Sequence, residues 1–238
     1  PPPVLKGTDQ VSFNDILVDP GGVVRRGLLF QDDGDGAAYS FALRLALLYL
    51  QTEGIVPRQD EQNPQHLRLG NVTFRPFEEN DGGYVKADAR GYQFFLDYQG
   101  PAAAFRSYSL SNLLSGKVNP RAITDKIVLI GVTAQSVKDF FFTPYSRGFS
   151  EAQQVPGVFL HGLMVSQLLR AGIEGIQPLA TFRERVEILW IFLWCLLGGI
   201  TGIKAHSAWR FSGLGLAGIL LIGLSAYLAF LNRWWIPL

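Results

Sequence analysis

The run DDGDG, residues 32–36, places three carboxylates around two glycines, a combination that occurs in calcium-binding loops. In the twelve-residue calcium loop, glycine takes the sixth position and carboxylates take the first and the last. With Gly36 in the sixth position, Gln31 would be first and Ala42 last, and neither carries a carboxylate. The spacing therefore excludes this motif and favours a turn that leads into a helix. No set of Cys and His has the spacing of a zinc site, so the sequence predicts no metal.

A second group of polar residues follows a short apolar run in the middle of the chain. Residues 126–131, KIVLIG, form a continuous β-branched run that ends at glycine, which is typical of a strand buried on both faces. Open α/β sheets place their ligand crevices just beyond the carboxyl ends of such strands. The candidate ligand-binding residues at this place are Thr133, Gln135, Asp139 and Thr143. The alternative is turn chemistry, in which Asp139 caps a local turn and Thr143 with Pro144 stiffens the loop.

His161 and Arg25 complete the set of candidate ligand-binding residues. His161 lies in the apolar run 158–169, where a buried histidine bonded to a backbone group is the stronger interpretation and ligand contact the weaker one. Arg25 and Arg26 follow two glycines, and adjacent residues on a strand point to opposite faces. One guanidinium can therefore reach inward to a carboxylate while the other stays in solvent.

The sequence shows no convergent catalytic set. No serine or cysteine stands in a nucleophile-elbow setting, and the single cysteine, Cys195, lies within an apolar stretch. Neither the P-loop nor the dinucleotide-binding glycine spacing follows residue 131. The sequence therefore predicts no catalytic residue and no cofactor. The net charge of +1 and the scattered lysines and arginines also argue against nucleic acid as a partner.

Local patterns predict the elements that position these candidates. The predicted elements are a helix at 39–51, a strand at 92–98, a short helix at 108–114 that Ser109 or Ser111 caps, and a helix at 158–169. The polar residues 58–70 predict a loop. Strand, loop and helix in the order found from residue 126 onward indicate an α/β domain built around a central sheet.

Two apolar runs near the end of the chain, residues 186–203 and 211–231, are nearly free of charge. As helices they would be about 27 and 31 Å long, and the hydrocarbon core of a bilayer is about 30 Å thick. Tryptophans at the ends of the runs are typical of membrane interfaces. The short basic link 204–210 makes the two helices antiparallel neighbours, and positive charge favours the cytoplasmic side. Arg183, Arg185 and Arg233 flank the other helix ends, so charge alone leaves both orientations open. The alternative is a pair of buried core helices.

Four separated stretches resemble the CHASE2 sensor domain family. They are DPGGVVRR at 19–26, FLDYQGP at 95–101, KIVLIGVTA at 126–134 with Asp139 and Thr143-Pro144 after it, and PGVFLHG at 156–162. The resemblance covers about residues 10–180 with order and spacing kept. It departs from the family in two places: Gly21 or Gly22 stands where an aspartate is usual, and Gly162 stands where alanine is usual.

The resemblance implies a bacterial extracytoplasmic sensor joined to its first transmembrane helices. It places a sensor domain at 1–183 and a membrane region at 184–238, with two helices and the start of a third at 232–238. The family also has a leading membrane helix and early sheet strands, which we expect this chain to lack. The expected fold is therefore α/β, a sheet-centred sensor domain truncated at its N-terminal side and followed by transmembrane helices.

The resemblance further implies a cytoplasmic output domain outside this chain: a histidine kinase, a Ser/Thr kinase, an adenylate or guanylate cyclase, or a diguanylate cyclase. The chain itself is not expected to be an enzyme. Its expected partners are the bilayer of the bacterial inner membrane, a small-molecule or protein signal on the periplasmic or extracellular side, and a second copy in a homodimer. The alternatives are a membrane-anchored α/β enzyme, a structural membrane module without a ligand, and a transporter fragment, which would need polar residues inside its spans.

Overall fold

The computed structural model describes residues 3–5, 8, 10–32, 34, 36–98, 105–146 and 154–237. The chain divides into two compact units. The first unit comprises Pro1–Pro76 and Arg90–Pro178, and the second comprises Phe77–Ala89 and Leu179–Leu238. The second unit thus combines a loop from the middle of the chain with the C-terminal helices.

The first unit contains eight short strands and three helices among its described residues. The strands are β1 (Arg26–Asp32), β2 (Ala37–Tyr39), β3 (Pro57–Gln59), β4 (Leu67–Leu69), β5 (Val72–Phe74), β6 (Tyr92–Phe95), β7 (Phe140–Phe141) and β8 (Val155–Pro156). The helices are α1 (Phe41–Thr52), α2 (Leu110–Leu114) and α3 (Gly157–Leu169), and a π-helical turn at Arg170–Glu174 continues α3. This mixed α/β architecture confirms the predicted fold class.

The central sheet is antiparallel, in the order β2-β1-β6. Phe30 pairs with Tyr39 in the β1–β2 hairpin, and the DDGDG run joins these two strands. The Asp32 carboxylate accepts a hydrogen bond from the Gly34 amide at 2.9 Å. The run was predicted to lead directly into a helix, but strand β2 lies between it and α1. Residues 33 and 35 of the run lie outside the described residues.

Helices α1 and α3 pack together over this sheet and form the core of the first unit. Helix α1 begins where the Ser40 hydroxyl accepts a hydrogen bond from the Leu43 amide at 3.2 Å, which satisfies a free donor of the first turn. Ser109 caps α2 in the same way, as predicted. The fully buried side chains include Leu29, Leu43, Leu50, Phe74, Leu160 and Leu168. The three predicted helices of this unit are therefore confirmed.

A second antiparallel sheet, β3-β4-β5, corrects the prediction of a loop at 58–70. Its strands are only three residues long, so they leave no alternating pattern that sequence reasoning can detect. The Tyr92 hydroxyl ties this sheet to the central one, because it accepts from the Leu67 amide at 2.6 Å and donates to the Phe74 carbonyl at 2.7 Å. Burial raises the pKa of Tyr92 to about 12, so the phenol remains a donor.

Residues 126–131, predicted as a doubly buried strand, form no strand at all. Val128 and Ile130 are 52% and 84% exposed, whereas Ile127 and Leu129 are half-buried, and Ile127 packs against the core. A strand requires a hydrogen-bonded neighbour, and no described residue pairs with this segment. The β-branched composition therefore produced an extended segment with one inward face, not a central strand.

The second unit contains α4 (Glu184–Lys204), α5 (Ala208–Leu231), β9 (Ala180–Thr181) and β10 (Trp234–Trp235). The two helices pack against each other and are long and apolar enough to cross a membrane, which confirms the two predicted helices. Strands β9 and β10 pair in parallel, just before α4 and just after α5. Residues 232–237, predicted as the entry to a third helix, form instead a turn followed by β10.

Candidate sensor site

Asp19 is the centre of a buried polar cluster in the first unit. Its carboxylate accepts hydrogen bonds from Arg26 Nε at 3.1 Å and Nη2 at 2.8 Å, and from Arg25 Nη1 at 3.0 Å. Arg26 Nη1 also donates to the side-chain oxygen of Gln93 on β6 at 2.6 Å. A buried carboxylate is stable only with such pairing and hydrogen bonding. The cluster therefore fastens the segment before β1 to the central sheet.

The prediction that one guanidinium reaches inward holds for Arg26, which is buried. The Arg25 side chain is 40% exposed, but it returns to the same carboxylate instead of pointing away into solvent. Asp19 itself was missed, because the resemblance draws attention to positions 21 and 22. The signal was present in the DPGG turn, where Gly22 has a φ of 76° and its amide donates to the Asp19 carbonyl at 2.7 Å.

The chain just before Thr143 lies against the chain just before Arg25, because the Val24 amide donates a hydrogen bond to the Phe142 carbonyl at 2.8 Å. Thr143 is buried, and its amide donates to the Ser146 hydroxyl at 2.8 Å while its own hydroxyl accepts from the Tyr145 amide at 3.2 Å. These bonds close a turn within residues 143–146. The geometry thus fits the turn alternative for Thr143 better than direct contact with a ligand.

Tyr98 links the two segments that carry Arg25 and Thr143. Its hydroxyl donates to the Val24 carbonyl at 2.8 Å, and its carbonyl accepts a long hydrogen bond of 3.4 Å from the Tyr145 hydroxyl. Burial raises the pKa of Tyr98, with Arg25 opposing that rise and Asp19 adding to it. The phenol therefore remains protonated and serves as a structural donor.

A second polar group, formed by Asp139 and His161, lies at the start of α3. The Asp139 carbonyl accepts from the Gly157 amide at 3.0 Å, and its carboxylate lies over Gly157 so closely that a Cβ there would be 2.6 Å from an oxygen. His161, one turn further along α3, is 8% exposed and meets Phe41 edge-on, with ring centroids 5.5 Å apart. The PGV-x-x-H pattern therefore positions a carboxylate and an imidazole at one helix end.

His161 is held neutral by its surroundings. Burial lowers the pKa of His161, while the nearby Asp139 carboxylate and a hydrogen bond to the backbone of Asn14 act in the opposite direction. The backbone bond is the interpretation favoured from the sequence. The other ring nitrogen, Nδ1, is buried and has no hydrogen-bond partner among the described residues. A neutral imidazole with a free nitrogen can accept or donate one further hydrogen bond.

Thr133 remains separate from both groups. It is exposed, and no hydrogen bond or ion pair joins it to another described residue. Of the six predicted site residues, the structure thus brings Asp139 close to His161, and it brings Arg25 near the chain segment of Thr143. Within the described parts of the chain, no group of three or more His, Cys, Asp or Glu side chains is placed to hold a metal ion.

The described residues form a mixed α/β domain with two largely buried polar groups, followed by two helices that are long and apolar enough to cross a membrane. This arrangement is consistent with the class of sensor domains that are attached to membrane helices. The chain matches the CHASE2 domain model over residues 1–200 and belongs to the CHASE2 domain family. CHASE2 is a sensor domain family of signalling receptors. No curated protein and no solved structure matches the chain.

Proposed function

We propose that this chain receives a signal on the extracytoplasmic side of a bacterial inner membrane and passes it through its helices to a cytoplasmic output domain. The observation that supports this most directly is the extent of the family match, which runs to residue 200 and so includes most of α4. One family model therefore covers both the proposed sensor domain and most of the first apolar helix. We place the boundary between the sensor domain, 1–183, and the membrane region, 184–238, at the start of α4.

The family supports one orientation, and the charge of the link between the helices agrees with it. CHASE2 domains are sensors of receptors, so the first unit is proposed to lie on the periplasmic or extracellular side. The link between α4 and α5 then lies in the cytoplasm, where its flanking Lys204 and Arg210 are favoured. The output domain is proposed to be a histidine kinase, a Ser/Thr kinase or a nucleotide or diguanylate cyclase. The receptor is proposed to be a homodimer, because cyclases and histidine kinases generally act as dimers.

The signal is proposed to bind at the start of α3. Asp139 offers an exposed carboxylate, and His161 offers a buried nitrogen without a partner among the described residues. Thr133 and Arg25 are proposed as further contacts of the signal, and Arg25 is the more accessible of the two guanidinium groups that bind Asp19. Thr143 is proposed to contribute indirectly, through the turn 143–146 that it closes. A ligand can shift a receptor only through different affinities for its two states. A small polar ligand that bridges Asp139 and the imidazole is therefore proposed to bind one state of this group more tightly than the other.

The proposal is tested by thermal unfolding of the chain in detergent against a library of small molecules, metal ions and nucleotides. A ligand at 100 times its dissociation constant stabilises the folded state by about 2.7 kcal/mol. For a protein of this size the unfolding midpoint then rises by about 5–11 °C. We expect that Asp139→Ala and His161→Leu abolish the rise that a hit produces.

The matched control is Asp15→Ala, which removes another exposed carboxylate of the first unit. It should leave the rise unchanged. A hit that survives both Asp139→Ala and His161→Leu would move the binding site away from α3. A library without any hit would count against a small-molecule signal and favour a protein ligand.

A further inference from the structure

Loop 77–89, the segment Phe77–Ala89, lies in sequence between β5 and β6 but folds with the C-terminal helices. The loop has a defined internal structure. The Asp81 carboxylate accepts from the Glu78 amide at 2.8 Å, the Ala87 amide donates to the Glu79 carbonyl at 3.0 Å, and the Lys86 amide donates to the Asn80 side chain at 3.0 Å. Phe77, Asp81 and Gly82 are buried.

Three hydrogen bonds join this loop to residues at the start of α4 and just before it. Thr181 Oγ1 donates to Asp81 Oδ1 at 2.9 Å, and Asn80 Nδ2 donates to Glu184 Oε1 at 3.2 Å. The Gly82 amide donates to Glu187 Oε1 at 3.0 Å. Glu187 is 6% exposed and is the only buried residue of α4, which is described throughout its length.

The same loop contacts the segment that follows α5. Tyr84 packs edge-on against Trp235, with centroids 5.8 Å apart, and Phe77 packs against Tyr84 at 5.1 Å. Gly82 has a φ of 61°, and a Cβ there would be 3.3 Å from both Thr181 and Trp235. Because β9 pairs with β10, these contacts bring together the entry to α4 and the exit from α5. One loop therefore holds both ends of the helix pair.

The burial of Glu187 requires an explanation. An acidic side chain in the first turn of a helix is favoured by the helix dipole, but Glu184 obtains that benefit while it remains exposed. Burying a carboxyl group costs several kcal/mol unless hydrogen bonds compensate, and ionisable groups in membrane helices are usually functional. The contact with the Gly82 amide is thus specific to the loop, not a consequence of helix formation.

We propose that loop 77–89 is the element that transmits a change in the first unit to the two apolar helices, with Glu187 as the positioning residue that couples them. The loop continues directly into the first unit at Pro76 and at Arg90. A shift of β5 or β6 therefore displaces the loop, and the loop displaces Thr181, Glu187 and Trp235 together. This inference rests on the proposed sensor function and identifies the route by which the signal passes from the first unit to the helices.

Hydrogen exchange of the 1–238 chain in lipid nanodiscs tests the route without any ligand. Leu160→Ala, in the fully buried core of the first unit, serves as the perturbation, and exposed Leu48→Ala serves as its control. Exchange is followed at 179–187 and 232–237. If the loop couples the units, Leu160→Ala accelerates this exchange by a factor in the range of allosteric couplings, about 5- to 150-fold, and Leu48→Ala does not.

Glu187→Leu should remove the response. In that background, Leu160→Ala should change the exchange at 232–237 by no more than about twofold, as expected for independent sites. Glu187→Gln keeps an acceptor for the Gly82 amide and should restore the response, whereas Glu79→Leu, an exposed change in the same loop, should never remove it. If Glu187→Leu does not fold, Thr181→Val removes the hydroxyl that binds Asp81 and serves instead.

Two outcomes would overturn the inference. If Leu160→Ala in the wild-type background does not change the exchange rate at 179–187 and 232–237, the two units are uncoupled. A response that persists in both Glu187→Leu and Thr181→Val would assign the coupling to the direct connection at residue 178. Neither result bears on ligand binding at α3, and a ligand screen without a hit does not affect the exchange measurement. The two proposals can therefore fail separately.

Discussion

Asp19 in the first unit and Glu187 in the second are both buried carboxyl groups, but different partners hold them. Asp19 accepts from two guanidinium groups, one of which is itself buried. Glu187 accepts from the backbone amide of Gly82 in loop 77–89. A charged pair in a protein interior is costly to break, because it leaves a buried charge, whereas losing the hydrogen bond of a neutral backbone amide costs less. The first arrangement suits a permanent fastening, and the second suits a contact that can open.

The largest effect is expected for Asp19→Asn, which removes the charge that pairs with buried Arg26. Breaking such a buried pair costs about 3–5 kcal/mol, and chemical denaturation of the chain in detergent measures the loss. Asp15→Asn, an exposed change nearby, should cost little. Equal losses for the two variants would mean that Asp19 is no more important to the fold than a surface residue.

The next effect is expected for Glu187→Leu, which leaves the Gly82 amide without its acceptor. An unsatisfied buried donor costs about 1–3 kcal/mol, and the loss should appear as faster exchange of the loop 77–89 amides. Glu187→Gln should stay close to the wild type because its side-chain oxygen still accepts. A loss as large as that of Asp19→Asn would contradict the comparison, since Glu187 would then be a permanent fastening as well.

A pH dependence is expected from His161 in the first unit. Burial lowers its pKa in the folded chain below the ordinary value of 6.5, so the unfolded chain takes up the proton first as the pH falls. Stability is therefore retained above pH 6.5 and decreases below it, by at most about 1.4 kcal/mol per pH unit, until the folded chain is protonated too. Unfolding midpoints between pH 7.5 and 5 measure this slope.

His161→Leu should flatten that slope, because the variant has no imidazole to protonate. Asp60, whose pKa is lowered chiefly by hydrogen bonds to Asn63 and Thr73, loses its contribution only in more acidic solution. An equal slope in wild type and variant would assign the acid sensitivity to other groups.

The smallest effect on stability is expected for Gly157→Ala, because the side chain that it displaces is the exposed carboxylate of Asp139. The new methyl group would displace the Asp139 carboxylate, and an exposed side chain can move into water at little cost. Thermal unfolding should therefore change by no more than about 1 kcal/mol, while a ligand that needs Asp139 should bind more weakly. Gly162→Ala is the control on the same helix, where the methyl group meets Leu129 at 3.3 Å and not Asp139. A large loss of stability in Gly157→Ala would show that Asp139 is fixed in place like Asp19.

The local patterns of the sequence determined the helices, because helix formation depends on neighbours a few residues apart. Ser109 caps α2 as predicted, and the apolar runs became α3, α4 and α5 with small shifts at their ends. The four motif stretches also sufficed to identify the CHASE2 family. Part of the candidate site was predictable for the same reason: the PGV-x-x-H pattern is local to one helix, and it locates His161 without knowledge of the fold.

Contacts between distant residues were decided only by the tertiary structure. The KIVLIG segment has the composition of a central strand, but strand formation requires a partner, and none of the described residues provides one. Asp19 finds Arg26 seven residues away, and Glu187 finds Gly82 across 105 residues of chain. No residue pattern predicts the second of these contacts, because every residue except proline has a backbone N–H that can donate a hydrogen bond. The sequence thus determined which segments are helical and which family they form, while packing decided which carboxyl groups are buried and what holds each of them.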